Sequence, residues 1–171
     1  MVQDILCEFQ EANNVGKSIG DRFQAPRKWL LPVEGSLKLN TYAAILSKRC
    51  LVGVGLVVRD HLGNVLGSSA QIIRAGLSPQ VAEAIVVLRG IVFTYEAGLL
   101  PMVIKCDSLS VVNSINSPTP LCFELGIVVT DIWSLLAASP GSIVTFQSRQ
   151  ANRAAHGLPK FALFGFESFL D

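Results

Sequence analysis

Charge is what this sequence has least of. Asp, Glu, Lys and Arg make up 16% of its 171 residues, 14 basic against 13 acidic, for a formal net charge of +1. Soluble domains usually carry about 25%. A disordered or acidic tail needs high net charge and low hydrophobicity, whereas half of this chain is hydrophobic. The near-zero balance equally excludes a strongly basic polyanion binder. Any contact with nucleic acid must rely on local charge.

Histidine occurs twice, and the four cysteines (Cys7, Cys50, Cys106 and Cys122) form no C-x-x-C pair. That scatter argues against a zinc site or a disulfide framework and fits reduced, partly buried thiols in an intracellular protein. A membrane-spanning helix needs about 18 consecutive apolar residues. The longest promising stretch, Ile132 to Ser148, is broken by Ser139-Pro140-Gly141-Ser142. The start, Met1-Val2-Gln3-Asp4 followed by Glu8 and Glu11, has neither the basic nor the apolar region of a signal peptide. The chain reads as soluble, not secreted and without a membrane partner.

The length suits one domain with a short extension, on the scale of roughly 100–200 residues per domain, and a core that needs no metal or disulfide staple. Residues 1–28 stand apart: Asp4, Glu8, Glu11 and Asp21 mix with Lys17, Arg22, Arg27 and Lys28 at weak periodicity. They read as a short helix and a linker ahead of a domain at 29–165, with 166–171 as a tail.

Within the domain, Lys38–Ala44 reads as a strand, Val52–Arg59 is rich in valine, and Asp60-His61-Leu62-Gly63-Asn64 supplies turn residues before Val65–Arg74, a hairpin signal. Ser78-Pro79 is an N-cap with proline at the first helical position, and Gly98 a stop, bracketing a helix of about 18 residues. Pro101–Cys106 reads as a buried strand and Ser108–Ile115 as a helix, with Asn116–Pro120 a loop. Leu125, Val128, Val129, Ile132, Leu135 and Leu136 recur at helical spacing. Ile143–Phe146 is a last strand and Ala151 onward a last helix. Three strands as a meander, then alternating helices and strands, imply an α/β domain with a mixed sheet flanked by helices.

Three groups of residues invite chemistry. Glu83 is the lone carboxylate in Val81-Ala82-Glu83-Ala84-Ile85-Val86-Val87-Leu88, with Val86 and Val87 at i+3 and i+4. If buried, it would stay protonated or bind a cation; the plain alternative is an exposed acid near the helix start, favoured by the dipole. Asp107 follows the strand Met102–Cys106, and carboxyl ends of strands in open α/β sheets are where ligands sit. Its plain alternative is an N-cap for the helix beginning at Ser108. Asn152-Arg153-Ala154-Ala155-His156 opens the last helix, and with Arg149 and Arg153 it forms a small basic cluster suited to phosphate. Alone, His156 reads as an ordinary half-exposed polar residue.

Read in order, the pieces stop looking independent. Trp29-Leu30-Leu31-Pro32, Lys38-Leu39-Asn40, Gly53-Val54-Gly55 running into Val58-Arg59-Asp60, Ala82-Glu83-Ala84, Cys106-Asp107-Ser108 with Val111-Val112, and Arg149 through His156 resemble the plant ribonuclease H-like domain of reverse-transcriptase type. The resemblance spans about residues 29 to 163, and its specificity lies in the order rather than in any one piece. It implies a ribonuclease H fold, with a five-stranded mixed sheet whose first three strands are antiparallel. It also implies metal-dependent hydrolysis of the RNA strand of RNA–DNA hybrids, with acids holding two magnesium ions, or manganese in their place. A hybrid read by its shape and 2′-hydroxyls suits a near-neutral protein.

Residue by residue, the resemblance gives Glu83 and Asp107 as metal-holding catalytic acids. His156 takes the place of a fourth acid, as in plant members. Ser108, Arg149, Asn152 and Arg153 become nucleic-acid contacts. The first strand departs from the pattern. After Lys-Leu-Asn the family runs one residue and then Asp-Gly-Ala; here Lys38-Leu39-Asn40-Thr41-Tyr42-Ala43-Ala44 puts Tyr42 where the metal-bridging aspartate belongs. A phenol with a pKa of about 10 is a poor magnesium ligand. Ala43 replaces the adjacent glycine, and Pro159 should kink the last helix. The expectation is an impaired ribonuclease H-type, nucleic-acid-binding domain of retroelement origin. The competing readings are an active enzyme and a protein-interaction scaffold.

Overall fold

The computed structural model describes residues 32–117 and 123–149. The expectations placed on residues 1–31 and 150–171, including Asn152, Arg153, His156, Pro159 and the domain limits, lie outside the described residues.

The first three strands form where the sequence predicts them. β1 (Leu37–Leu46), β2 (Leu51–Arg59) and β3 (Val65–Arg74) form an antiparallel meander. β1 outruns the predicted Ala44 by two residues, because Ile45 and Leu46 still pair with Val52 and Leu51. A 3-10 turn at Ser47–Arg49, closed by Cys50 in a left-handed conformation, makes that tight connection. The β2–β3 turn is organised by Asp60, whose carboxylate accepts the Leu62 and Asn64 backbone N–H groups at 2.9 and 2.8 Å. Gly63, at φ +88°, completes it.

β4 (Met102–Cys106) pairs parallel with β1, and β5 (Ile143–Phe146) parallel with β4, giving the order β3-β2-β1-β4-β5. This is the five-stranded mixed sheet that the resemblance implies. Among the described residues three α-helices accompany it: α1 (Pro79–Glu96), α2 (Leu109–Asn116) and α3 (Phe123–Ala137). α1 starts as its sequence dictates, with Ser78 Oγ accepting the Val81 N–H at 3.3 Å and proline in the first turn. It ends just before Gly98, at φ +67°. Among the described residues no helix is long and apolar enough to cross a membrane.

The core lies between the sheet and α1, with α3 packed beside it. Leu39, Val54, Leu56, Val86, Val87, Ile91, Ile104 and Ile132 are all essentially inaccessible. Gly90 allows the close approach: a Cβ there would stand 2.7 Å from Leu39 Cδ2 and 3.1 Å from Thr41 Cγ2. Side chains alternate along a strand, so Leu39 and Thr41 face α1, while Tyr42 joins Val57 and Ala44 in a separate cluster on the opposite face. Two polar ties fix the far side: Trp133 Nε1 donates to the Ile115 carbonyl at 2.6 Å, and Asn116 Nδ2 to the Val144 carbonyl at 3.0 Å.

Candidate active site

The mixed topology creates the site. β1 pairs with β4 only as far as Asn40 with Lys105, so β1 beyond Asn40 has an open edge where β4 ends. Thr41 Oγ1 spans the start of that gap, donating to the Lys105 carbonyl at 3.2 Å. Parallel register then brings two strand exits together. Cys106 lies opposite Phe146, and the Gln147 N–H still donates to the Cys106 carbonyl at 2.9 Å. Asp107 and Arg149 therefore leave the sheet side by side.

Glu83 enters from α1. It is only 7% exposed, which overturns the exposed-acid alternative. Being one turn inside α1 and on the same stripe as Gly90, it is carried toward the sheet by the close packing there. Burial pushes its carboxyl up to about 8; the nearby Asp107 charge adds to the rise, while Arg149 and the Ala43 backbone amide oppose it. Its Oε2 is buried with no hydrogen-bond partner.

Asp107 is not the N-cap either. Ser108 holds that position for α2, without a side-chain capping bond. The Asp107 side chain is fully buried, and Arg149, itself 70% exposed, donates from Nε to Oδ2 at 3.0 Å. The Asp107 charge in turn raises the pKa of Arg149, so the guanidinium stays charged. The sequence marks Arg149 as a phosphate contact; its partnership with a residue 42 positions earlier is a tertiary fact that no local signal carries.

Tyr42 completes the group. It is 7% exposed. Burial is the largest influence on its hydroxyl and raises the pKa; Arg149 opposes, and Asp107 and Glu83 reinforce the rise. The phenol therefore stays neutral beside the Asp107–Arg149 pair and Glu83. Cys106 is a further neighbour that sequence reasoning passed over. Ligand atoms of Glu83, Cys106 and Asp107 lie within 4.8 Å of one another. Burial pushes the thiol up to about 12, and its sulfur accepts the Ser108 N–H at 3.4 Å. It is thus a packed thiol rather than a thiolate ligand. The donor set left for a metal is two carboxylates, one with an orphaned buried oxygen. That suits a single hard divalent cation. Position 42 adds a phenol to this group and no carboxylate.

Ser108 stands beside this group at the start of α2, its Oγ 3.2 Å from Ser110 Oγ. Of the sequence-predicted site residues, the described structure brings Tyr42, Glu83, Asp107, Ser108 and Arg149 to one end of the sheet.

The sequence pattern of the reverse transcriptase-like family matches residues 40–162. No curated protein sequence matches significantly. Among solved structures, the chain is similar to RNase H1 from the halophilic archaeon Halobacterium salinarum, with a TM-score of 0.70 and 17% identity over 77% of this chain and 99% of that one. It is similar to LC11-RNase H1, solved in complex with an RNA/DNA hybrid, with a TM-score of 0.64 and 19% identity over 72% and 93% of the two chains. A foamy viral protease-reverse transcriptase, also solved with an RNA/DNA hybrid, matches at a TM-score of 0.59 and 16% identity over 87% of this chain and 22% of that one. With its sheet order, its converging acids and a sequence match over most of its length, the chain belongs to the reverse transcriptase-like family and carries an RNase H-like domain.

Proposed function

We propose that this chain binds an RNA–DNA hybrid or a related nucleic-acid duplex, and that its hydrolysis of the RNA strand is impaired. The observation that carries the second half is the buried, neutral Tyr42 phenol set among Glu83, Asp107 and Arg149. Glu83 and Asp107 would hold magnesium, or manganese in its place. When bound, such an ion activates water and stabilises the leaving oxygen of a phosphodiester. The chain's own residues do the rest. Asp107 fixes Arg149 through Nε, and the remaining guanidinium donors of that 70% exposed side chain can meet a backbone phosphate. Ser108 would add a further contact, and the sequence resemblance assigns the same role to Asn152 and Arg153 and gives His156 the place of a fourth acid. That histidine also motivates assigning the chain to plant, retrotransposon-derived members of the family. Recognition rests on duplex shape and 2′-hydroxyls rather than on a broad positive field.

A second reading, a protein-interaction scaffold without a nucleic-acid role, is favoured by the exposed Phe123 and Ile127 on successive turns of α3, 88% and 67% accessible. The two separate on a fluorescent hybrid at low salt with magnesium. The proposed function predicts saturable binding with the RNA strand left largely intact. Absence of binding to every hybrid and duplex tested would remove it in favour of the scaffold.

A further inference from the structure

The Asp107–Arg149 pair does more than anchor a phosphate-binding side chain. A fully buried carboxylate is costly unless a positive charge faces it. Here Arg149 supplies that charge at 3.0 Å, in the space where Glu83 presents its orphaned Oε2. With Tyr42 neutral, the two carboxylates and the guanidinium leave at most one net negative charge in the group.

We propose that Arg149 is a built-in counter-cation, which occupies Asp107 in the resting chain and competes with a divalent ion for it. The proposal rests on the reading that Glu83 and Asp107 are the cation-holding pair. A metal ion held by the Asp107 carboxylate and a guanidinium 3.0 Å from its Oδ2 repel each other and contend for the same negative charge. Metal entry is therefore favoured when Arg149 swings outward, toward the solvent that its side chain already meets. Metal affinity and the position of Arg149 are then reciprocally linked.

Manganese binding to the full chain without nucleic acid, followed by calorimetry or by electron paramagnetic resonance of free Mn2+, tests this independently of hybrid binding or cleavage. Arg149→Gln should bind Mn2+ at least about tenfold more tightly than wild type, and Arg149→Lys, which keeps the charge, within about threefold of wild type. Adding Glu83→Gln to Arg149→Gln should abolish the gain. Equal or weaker affinity in Arg149→Gln, or the same gain in the lysine variant, would overturn the proposal. A second measurement needs no variant. Mn2+ should accelerate modification of Arg149 by phenylglyoxal in the wild-type chain, because the displaced guanidinium is freed; no change, or protection, would contradict the competition.

Discussion

At neutral pH and without a bound cation, the Glu83 carboxyl is mostly protonated, because burial holds its pKa near 8. The unfolded chain releases the same proton at about 4.3. Between those values the folded state binds more protons, so stability falls as pH rises through the window and levels off above it. In chelated buffer the wild-type melting temperature should decline from pH 5 to pH 8, and Glu83→Gln should lack most of that decline. Parallel pH profiles for the two proteins would mean that Glu83 is not desolvated. The sequence exposes Glu83 and Asp107 as candidates because both signals are local: one acid in an apolar helix, and one acid at a strand end. It leaves open whether either is buried, since burial depends on what packs against the helix from elsewhere. The Arg149 partnership is invisible for the same reason, arising only from the register of β4 against β5. Tyr42 is conspicuous solely against the family pattern, because tyrosine in a strand is otherwise unremarkable.

The element that positions the chemistry is α1. Gly90 lies seven residues, or about two turns, after Glu83 on the same stripe, and its missing Cβ lets the helix settle onto Leu39, Thr41 and Leu56. Ala is a better helix former than Gly by about 1 kcal/mol. At this position the added methyl meets an inaccessible Leu39 side chain that has nowhere to go. Gly90→Ala should therefore destabilise the domain by roughly 1–3 kcal/mol, the usual cost of overpacking, read as a lower midpoint in urea. A midpoint equal to or above wild type would show that α1 can lift without loss. The caps of this helix were legible from Ser78, Pro79 and Gly98, because capping is short-range chemistry. The extra residues of β1 were not, since they depend on the Ser47–Arg49 turn and on pairing with Leu51 and Val52.

Across the whole molecule, the mixed sheet does two jobs. Antiparallel pairing builds the β1–β3 platform, and parallel pairing of β1, β4 and β5 aims their carboxyl ends at one rim, where ligands of open α/β sheets collect. The chain reaches this arrangement with a net charge of only +1. Affinity for a hybrid should accordingly fall gently with salt, with a log–log slope of about −2 to −4 for some two to four neutralised phosphates. A slope near −8 would instead reveal a broad basic surface. Central to the proposed function is that the site lacks one carboxylate, at Tyr42. The most direct measurement is single-turnover cleavage of an end-labelled RNA–DNA hybrid in magnesium or manganese, comparing wild type, Tyr42→Asp and Asp107→Asn. The account predicts slow or absent cleavage by wild type and at least about a hundredfold faster cleavage by Tyr42→Asp, the scale of effect that supplying one carboxylate to a metal-held phosphoryl site can have. Efficient cleavage by wild type that disappears in Asp107→Asn, with no gain from Tyr42→Asp, would contradict it.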